Sequence, residues 1–214
     1  MKRIFDITFA VLFFFVFLPI YLLTAIIIKC TSPGPILYRA KRIGENGKVF
    51  TCYKFRSMHV NSGKVHITTL KNDERIYPFG KFIRTAKIDE FPQVINIFLG
   101  EMSVVGPRPE DEDNAKEIYV GRYSKLLEAK PGLTSPGSIY DFTHGEFFEN
   151  EEDYINNFLR EKLELELYYV ENANLWYDIR IVLRTAKMII YRLIRKKILP
   201  LPPEHLYILE RVAN

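Results

Sequence analysis

The chain begins with a long apolar run that sets its first 31 residues apart from the rest. No charged side chain occurs from Ile7 to Ile28, about 22 residues, which is enough helix to cross the roughly 30 Å hydrocarbon core of a bilayer. Basic residues flank the run at both ends, so the positive-inside rule favours neither orientation. The pattern predicts a membrane-anchoring helix over residues 1–31.

A proline interrupts this run near its middle. Pro19 leaves segments of roughly 18 Å and 14 Å at 1.5 Å per residue, and neither crosses a bilayer alone. Because proline removes a backbone donor and clashes with the preceding turn, a helix broken at Pro19 could enter the membrane and return to the same face. A single-pass helix with a kink fits the composition equally well. The residues themselves leave both topologies open.

The pattern after residue 31 is mixed, with short alternating segments first and helical spacing later. Two strand-like segments flank Glu45-Asn46-Gly47, and Asn-Gly is a strong signal for a tight hairpin. Residues 61–72 are polar and aperiodic, which predicts a mobile loop. Helical spacing returns near Tyr77, over 111–130 and over 153–169. The predicted fold class is α+β and mostly helical.

The last strongly periodic segment is amphipathic and basic. Apolar residues recur at steps of three and four from Trp176 to Leu193, and arginines and lysines lie between them. Such a helix can lie on an anionic membrane surface, or it can pack its apolar stripe against the core. Both interpretations stay open at this point.

Composition and motifs exclude several classes of function. Lys and Arg exceed Asp and Glu by 30 to 26, a mildly basic balance that suits an anionic surface. The two cysteines lack metal-ligand or disulfide-scaffold spacing, which fits a reducing compartment. The chain contains no P-loop, G-x-S-x-G or G-x-G-x-x-G motif. A P-loop kinase, a serine hydrolase and a Rossmann enzyme therefore lose support, and we expect no nucleic-acid partner.

Two adjacent carboxylates are the first candidates for catalysis. Asp89 and Glu90 precede Pro92, which favours the first turn of a helix, so the pair is predicted at a helix N-terminus. An ionised carboxylate can attack phosphorus, and its neighbour can hold a divalent cation. An Asp-Glu pair by itself is more often only a favourable start to a surface helix.

Basic residues around this pair indicate a polyanionic substrate. Arg108 lies in the Gly-Pro-Arg-Pro turn at 106–109, where two prolines stiffen the backbone around a side chain suited to bidentate phosphate binding. Further candidate phosphate contacts are Lys54, Arg56, Arg75 and Arg84.

Five segments together resemble the bacterial sugar transferase family, the monotopic polyprenyl-phosphate phosphoglycosyl transferases. The longest is DEFPQVINIFLGEMSVVGPRP at 89–109, and a chance match over that length is implausible. The shorter segments are KRIFD at 2–6, SPGP at 32–35, RIG at 42–44 and KFRSM at 54–58.

The resemblance implies a reaction and roles for individual residues. Asp89 looks like the nucleophile that attacks the β-phosphate of a UDP-sugar, expels UMP and holds the phosphosugar until polyprenyl phosphate accepts it. Glu90 looks like the Mg²⁺-binding partner and Arg108 like a phosphate contact. The C-terminal pattern makes Asp178 a further candidate site carboxylate.

The resemblance also implies an architecture and partners. We expect a re-entrant helix broken at Pro19, a small β-hairpin and a helical catalytic domain over 32–214 with amphipathic interfacial helices, on the cytosolic face of a bacterial inner membrane. The expected partners are a UDP-sugar, with an N-acetylated hexose favoured, undecaprenyl or another polyprenyl phosphate, and membrane lipid. A homo-oligomer is left open. The reaction would be the first membrane step of surface polysaccharide or glycoconjugate synthesis.

The chain departs from the family pattern at several positions. Leu18 precedes Pro19 where serine is common, Lys87 replaces a common serine, and Ser57 replaces a usual threonine. Residues 135–146 lack the Gly-x-x-Gln that usually follows Pro-Gly-Leu-Thr, so a difference in sugar or nucleotide recognition is expected there. Two alternatives remain: a membrane glycosyltransferase that releases UDP, and a non-catalytic scaffold of a glycan-assembly complex.

Overall fold

The computed structural model describes residues 1–60, 73–145, 151–196 and 199–212. This part of the chain is mostly helical and carries two small sheets, as the predicted fold class requires. Its helices are α1 (Lys2–Thr31), α2 (Pro78–Thr85), α3 (Val94–Leu99), α4 (Glu112–Ile118), α5 (Pro136–His144), α6 (Glu151–Tyr154), α7 (Arg160–Asn172), α8 (Leu175–Leu193) and α9 (His205–Val212). Its strands are β1 (Leu37–Ile43), β2 (Val49–Phe55), β3 (Ser103–Val105) and β4 (Gly132–Thr134).

The predicted hairpin is confirmed. β1 and β2 pair antiparallel, with Leu37 opposite Phe55 at the open end. The connection is a 3₁₀ turn in which Asn46 and Gly47 have φ angles of 57° and 72°. Asparagine and glycine tolerate this left-handed conformation better than other residues, which is why the sequence turns here.

The second sheet escaped the sequence analysis because each of its strands has only three residues. β3 and β4 run parallel, with Ser103 opposite Gly132 and Val105 opposite Thr134. The backbones at the end of this ladder approach so closely that a Cβ on Gly132 would lie 2.1 Å from the backbone nitrogen of Gly106. The pairing therefore holds the 106–109 turn directly beside the strand that follows Pro131.

Helix α1 is long, apolar and continuous. Its 30 residues span about 45 Å, and within the described residues it is the helix that by length and composition could cross a membrane. Pro19 lies inside it and the helix continues on both sides of this residue, so the predicted break and re-entrant course stay predictions. One side of α1 packs on the rest of the protein, and the opposite side exposes apolar residues along the whole helix, among them Ile4, Val11, Phe15, Leu22 and Ile26.

Polar contacts fix both ends of α1 to the domain. Near the start, the buried Asp6 carboxylate accepts hydrogen bonds from the Ser103 hydroxyl and from the backbone N–H of Val104. Just beyond the end, Arg56 donates to the carbonyl oxygens of Ser32 and Pro33, each at 2.6 Å. The segments KRIFD and SPGP are thus the two attachment points of the apolar helix.

The C-terminal helices agree with the sequence patterns in outline. The predicted helix at 153–169 is α6 and α7, joined through a π turn at Ile155–Leu159. The predicted helix at 111–130 divides into α4 and a 3₁₀ turn at Gly121–Glu128, because Gly121 has a φ of 56°. The loop predicted at 61–72 lies outside the described residues.

Helix α8 forms as predicted, but its apolar stripe faces outward. Trp176, Leu183 and Ile190 are 74%, 64% and 56% exposed, while Ile181 and Met188 pack into the core. The interpretation of the stripe as the core-facing side is therefore wrong. The stripe is instead an exposed apolar surface interspersed with basic residues.

Candidate active site

The acidic pair lies in a short 3₁₀ turn, Ile88–Gln93, which leads directly into α3. Asp89 and Glu90 are each 6% exposed and occupy the first turn of this helical segment, as the sequence predicted. The preceding residue, Lys87, has a φ of 58° and reverses the chain direction. The pair is therefore buried at the start of a helical segment rather than displayed on a surface helix.

Three cations surround the carboxylate of Glu90. The amino groups of Lys54 and Lys87 lie 3.6 and 3.4 Å from its Oε1 atom, and the guanidinium of Arg108 lies 3.4 Å from the same atom. Burial opposes ionisation of Glu90, but these three charges outweigh it and hold the pKa of Glu90 well below its ordinary value. Three cations on one carboxylate leave a surplus of positive charge.

Asp89 has a buried oxygen atom, Oδ1, without a hydrogen-bond partner among the described residues. Burial raises the pKa of Asp89, and the charge of Glu90 adds to this effect. A buried carboxylate oxygen without a hydrogen-bond partner costs stability in a folded protein, and this one lies beside the cations around Glu90, where a ligand could supply the missing contact.

The structure brings some of the predicted basic residues to the acidic pair and gives others different partners. Arg84 lies near enough to Asp89 to oppose the rise in the pKa of that carboxyl, and it approaches the Ser57 hydroxyl at 3.4 Å. Arg75 instead binds the carboxylate of Asp73 through its Nε atom at 2.8 Å.

Arg56 and Asp178, both predicted as site residues, lie at the two ends of α1. Arg56 is buried, and its guanidinium binds the chain just after the helix, where exposed carbonyl oxygens attract positive charge. Asp178 accepts hydrogen bonds from Lys2 at 2.6 Å and from Tyr169 at 2.7 Å. In the described structure each side chain fixes α1, and a role for either of them in substrate binding stays a prediction.

A buried glutamate on α7, missed by the sequence analysis, supports the 106–109 turn. Glu166 accepts hydrogen bonds from the backbone N–H of Arg108 at 3.2 Å and from the Ser135 hydroxyl at 2.7 Å. Burial raises the pKa of Glu166 to about 7. No motif signalled this residue, because it stands in a segment where glutamate and leucine alternate and looks like part of a solvated helix face.

Lys87 was noted only as a departure from the family pattern, and the structure makes it part of the site. Its spacing of three residues from Glu90 is typical of an ion pair within a helical turn and could have identified it. The lysine amino group also lies 5.0 Å from the centre of the Phe142 ring. A residue that replaces a common serine therefore adds one of the three cations around Glu90.

Within the divergent 135–146 segment, residues Pro136–His144 form α5 next to the site. Ser135 caps the helix by accepting a hydrogen bond from the Ser138 N–H, and Pro136 takes the first position, a start signal that the sequence contained. Asp141 accepts a hydrogen bond from Tyr154 at 3.0 Å. Burial opposes its ionisation, but Lys162, Arg108 and Lys87 together lower the pKa of Asp141.

An apolar cavity of about 150 Å³ adjoins the acidic pair. The carboxylate of Glu90 and the amino group of Lys87 belong to its lining, and the remaining walls are mostly hydrocarbon from α1, α5 and α8. These walls include Phe9, Phe13, Leu133, Ile139, Phe142, Val182 and Ile189. The candidate site therefore consists of a charged part, at Glu90 and Lys87, and an adjoining apolar cavity.

The carboxylates fit a magnesium ion shared with a substrate. In the described ranges no group of three or more acidic, histidine or cysteine side chains converges as a metal cage. Mg²⁺ is usually held by one or two carboxylates together with substrate phosphates and water. Asp89, with its bare Oδ1 atom, and Glu90 supply such a donor set.

Comparisons with known proteins agree with this geometry. A model of the family described as bacterial sugar transferase matches residues 1–192. A UDP-glucose:undecaprenyl-phosphate glucose-1-phosphate transferase of Caulobacter vibrioides is 35% identical over 86% of this chain and 68% of its own length. An undecaprenyl-phosphate galactose phosphotransferase of Salmonella typhimurium is 35% identical over 90% of this chain.

A third relative, from Aeromonas hydrophila, is named as a UDP-N-acetylgalactosamine-undecaprenyl-phosphate N-acetylgalactosaminephosphotransferase and is 35% identical over 88% of this chain. The matches cover only 43% of the Aeromonas protein and 41% of the Salmonella protein, so this chain corresponds to less than half of either. The family match itself covers most of the chain and includes the acidic pair, the three cations around Glu90 and the apolar helix. The chain belongs to the bacterial sugar transferase family.

Proposed function

We propose that the protein transfers a sugar-1-phosphate from a UDP-sugar to a polyprenyl phosphate such as undecaprenyl phosphate and releases UMP. The observation that carries the proposal is Asp89, whose bare, buried oxygen atom lies next to a glutamate surrounded by three cations. The relatives' names supply the two substrate classes.

The charge of the site suits a nucleoside diphosphate. A diphosphate presents several anionic oxygens, and the cations around Glu90 exceed the charge of that carboxylate. Arg108 offers a planar fork for two phosphate oxygens, whereas the two lysines act as point charges. The backbone of Arg108 is fixed by Glu166 and by Tyr119, so the guanidinium starts from a held position.

The first step is a displacement at the β-phosphorus. A carboxylate oxygen of Asp89 forms a bond to this phosphorus, and the bond from phosphorus to the oxygen bridging the two phosphates breaks. The electron pair leaves with UMP, and the sugar phosphate stays on Asp89 as an acyl phosphate. Burial among protein groups keeps water from the nucleophile before the donor arrives.

The second step transfers the sugar phosphate to lipid. An oxygen of the polyprenyl phosphate forms a bond to the same phosphorus, and the bond between phosphorus and Asp89 breaks, which restores the carboxylate. The product is a polyprenyl diphosphate sugar. The apolar cavity beside Glu90 supports this acceptor, because hydrocarbon walls next to cations suit a phosphate carried on an isoprenoid chain.

Glu90 would also hold Mg²⁺, which when bound neutralises phosphate charge and polarises the phosphorus. The basic side chains around Glu90 would orient the diphosphate of the UDP-sugar. Lys87, Lys54 and Arg108 keep Glu90 ionised, since they hold its pKa well below the ordinary range.

The contacts of α1 support a monotopic arrangement on the cytosolic face of the inner membrane. Lys2 near its start binds Asp178, and Ser32 after its end binds Arg56, so both ends meet the same charged domain. A helix that crossed the bilayer fully would place its ends on opposite faces. We therefore propose that α1 is re-entrant, and that the exposed stripe of α8 and its basic residues lie at the membrane surface.

The test is release of UMP by purified protein supplied with Mg²⁺, undecaprenyl phosphate and a panel of UDP-sugars. We expect release that requires the lipid and disappears in Asp89→Asn, with an N-acetylated hexose as the preferred donor. The relatives are named for glucose, galactose and N-acetylgalactosamine, so the panel must contain all three.

Two outcomes would contradict the proposal. Release of UDP would identify a glycosyltransferase that moves the sugar without its phosphate. Absence of any nucleotide release from demonstrably folded protein, across the full panel, would favour a non-catalytic scaffold.

A further inference from the structure

The turn that carries the acidic pair is weak by its own local structure. It is a six-residue 3₁₀ segment, a geometry with poorer hydrogen bonds than an α-helix. Pro92 inside it has no N–H to donate, and Lys87 before it takes a left-handed conformation that is unfavourable for a non-glycine residue. Contacts from elsewhere in the protein must therefore hold Asp89 and Glu90 in place.

Helix α1 supplies such contacts through Phe91, the residue that follows Glu90. The ring of Phe91 lies between three aromatic rings of α1, with centroid distances of 4.8 Å to Phe13, 5.3 Å to Phe17 and 5.5 Å to Tyr21. The hydroxyl of Tyr21 also donates a hydrogen bond of 2.6 Å to the backbone carbonyl oxygen of Phe91.

The spacing of these aromatic residues shows that they form one face of the helix. Phe13, Phe17 and Tyr21 recur every four residues, so their side chains stack along the side of α1 that packs on the domain. Pro19 lies between two of them in sequence but is exposed on the other side. The aromatic face is therefore continuous past the proline.

The phenol of Tyr21 is unusual for its position. It stands in an apolar segment where a hydroxyl without a partner is costly, and it donates to the backbone of the turn that carries the acidic pair. Ordinary aromatic packing would be served equally well by phenylalanine. The hydroxyl adds a directional bond to a backbone atom one residue from Glu90.

We propose that α1 is a positioning element for the acidic pair, in addition to being an anchor, and that Tyr21 is its main positioning residue. Tyr21, Phe13 and Phe17 hold Phe91, and Phe91 fixes the turn that orients Asp89 and Glu90. The inference rests on the proposed function for its kinetic consequence, but its structural consequence can be measured without any substrate.

The kinetic test compares Tyr21→Phe with Tyr207→Phe, which removes a hydroxyl from an exposed ring far along the chain. Loss of one hydrogen bond that orients the site predicts a fall in kcat of about 5- to 10-fold for Tyr21→Phe. The KM for the UDP-sugar, the melting temperature and the membrane-bound fraction are expected to stay unchanged, and Tyr207→Phe is expected to match the wild type throughout.

The structural test measures amide hydrogen exchange in the same detergent-solubilised proteins. We expect Tyr21→Phe to raise deuterium uptake in the peptide covering residues 87–94, with other described segments unchanged. Phe17→Leu should do the same, whereas Phe15→Leu, which alters an exposed ring on the opposite side of α1, should not.

The two tests separate failure of the inference from failure of the proposed function. If the wild type releases no UMP, the proposed function fails, and exchange at 87–94 alone decides the inference. If the wild type turns over normally and Tyr21→Phe matches it in both kcat and exchange, the inference is overturned while the function stands. A general loss of stability in Tyr21→Phe, with uptake raised throughout, would show a merely structural role and would also overturn it.

Discussion

Two regions of this protein contain buried carboxylates that differ in their hydrogen bonding, the start of α1 and the acidic pair. At the start of α1, Asp6 and Asp178 have hydrogen bonds on both oxygen atoms, at 2.6 to 3.0 Å. In the acidic pair, Glu90 meets its cations at 3.4 to 3.6 Å, and Asp89 keeps an oxygen without a partner. The hydrogen bonds of Asp6 and Asp178 hold the start of α1 against the domain. The acidic pair, in contrast, has fewer short hydrogen bonds and can still bind a ligand.

The comparison also separates two arginines that look alike in sequence. Arg56 and Arg108 both stand in short, characteristic motifs near prolines or serines, and both were predicted as phosphate contacts. Arg56 donates to three acceptors of the segment after α1 at 2.6 to 3.1 Å, although its Nε atom has no partner among the described residues, whereas the guanidinium of Arg108 approaches Glu90 only to 3.4 Å. The number of short hydrogen bonds to the chain therefore distinguishes the supporting arginine from the one available to a ligand.

The largest expected effect is from Asp89→Asn, which tests the acidic pair. Removing the nucleophile is expected to lower turnover by roughly 10⁴-fold or more. Because the carboxylate has an unpartnered oxygen, its neutral replacement should leave the melting temperature unchanged or slightly higher. UMP release and thermal unfolding, measured on one preparation, check both parts, and a large fall in stability would mean that Asp89 is structural.

Arg108→Ala should have the next largest effect. Loss of one preorganised cation at a transferring phosphate predicts a decrease in kcat/KM of about 10²- to 10³-fold. Stability should change little, because Lys54 and Lys87 still accompany Glu90. Steady-state kinetics with the best donor from the panel provide the measurement, and wild-type kinetics in this variant would remove Arg108 from the site.

Arg56→Ala is the control for Arg108→Ala, and it is expected to affect stability rather than activity. It leaves the acceptors after α1 without their donor and is expected to lower the free energy of unfolding by about 3 kcal/mol. Turnover per folded molecule should stay within about threefold of the wild type. Denaturant unfolding and activity at saturating donor measure the two quantities. A stable but inactive Arg56→Ala protein would contradict the distinction between the two arginines.

The smallest expected effect concerns pH and Glu166, which lies between the two regions. Burial raises the pKa of Glu166 to about 7, so the folded state holds a proton that the unfolded state releases near pH 4.5. Stability should therefore fall as pH rises from about 4.5 to 7, by at most about 3 kcal/mol from this group. Glu166→Gln, which can still accept both hydrogen bonds, should flatten that dependence in unfolding measured at pH 5 and pH 8. An unaltered pH dependence in the variant would show that Glu166 does not titrate in this window.

The sequence predicted those elements whose conformation depends on residues close together in the chain. The Asn46-Gly47 hairpin, the α8 helix and the helical start at Asp89 follow from turn chemistry, periodicity and a nearby proline. The β3–β4 pair could not be predicted, since two three-residue strands whose paired residues are 29 positions apart leave no periodic pattern.

The hydrogen-bond and ion-pair partners of the charged residues also could not be predicted from the sequence. Nothing in a linear motif says that Arg56 turns toward Ser32, or that Glu166 accepts a hydrogen bond from the backbone of Arg108. Those contacts depend on how α1 and α7 pack, which is set by long-range burial of apolar residues rather than by neighbours in the chain.

The central claim is that the unsaturated carboxylate of Asp89 is the nucleophile, and the most direct test is to trap the intermediate. Wild-type protein is incubated with Mg²⁺ and the preferred UDP-sugar without lipid acceptor, then digested and analysed by mass spectrometry. The account predicts a sugar phosphate added to the peptide containing Asp89, absent from Asp89→Asn and lost when polyprenyl phosphate is supplied. An adduct on another residue, or lipid-dependent turnover with no adduct at any stage, would contradict it.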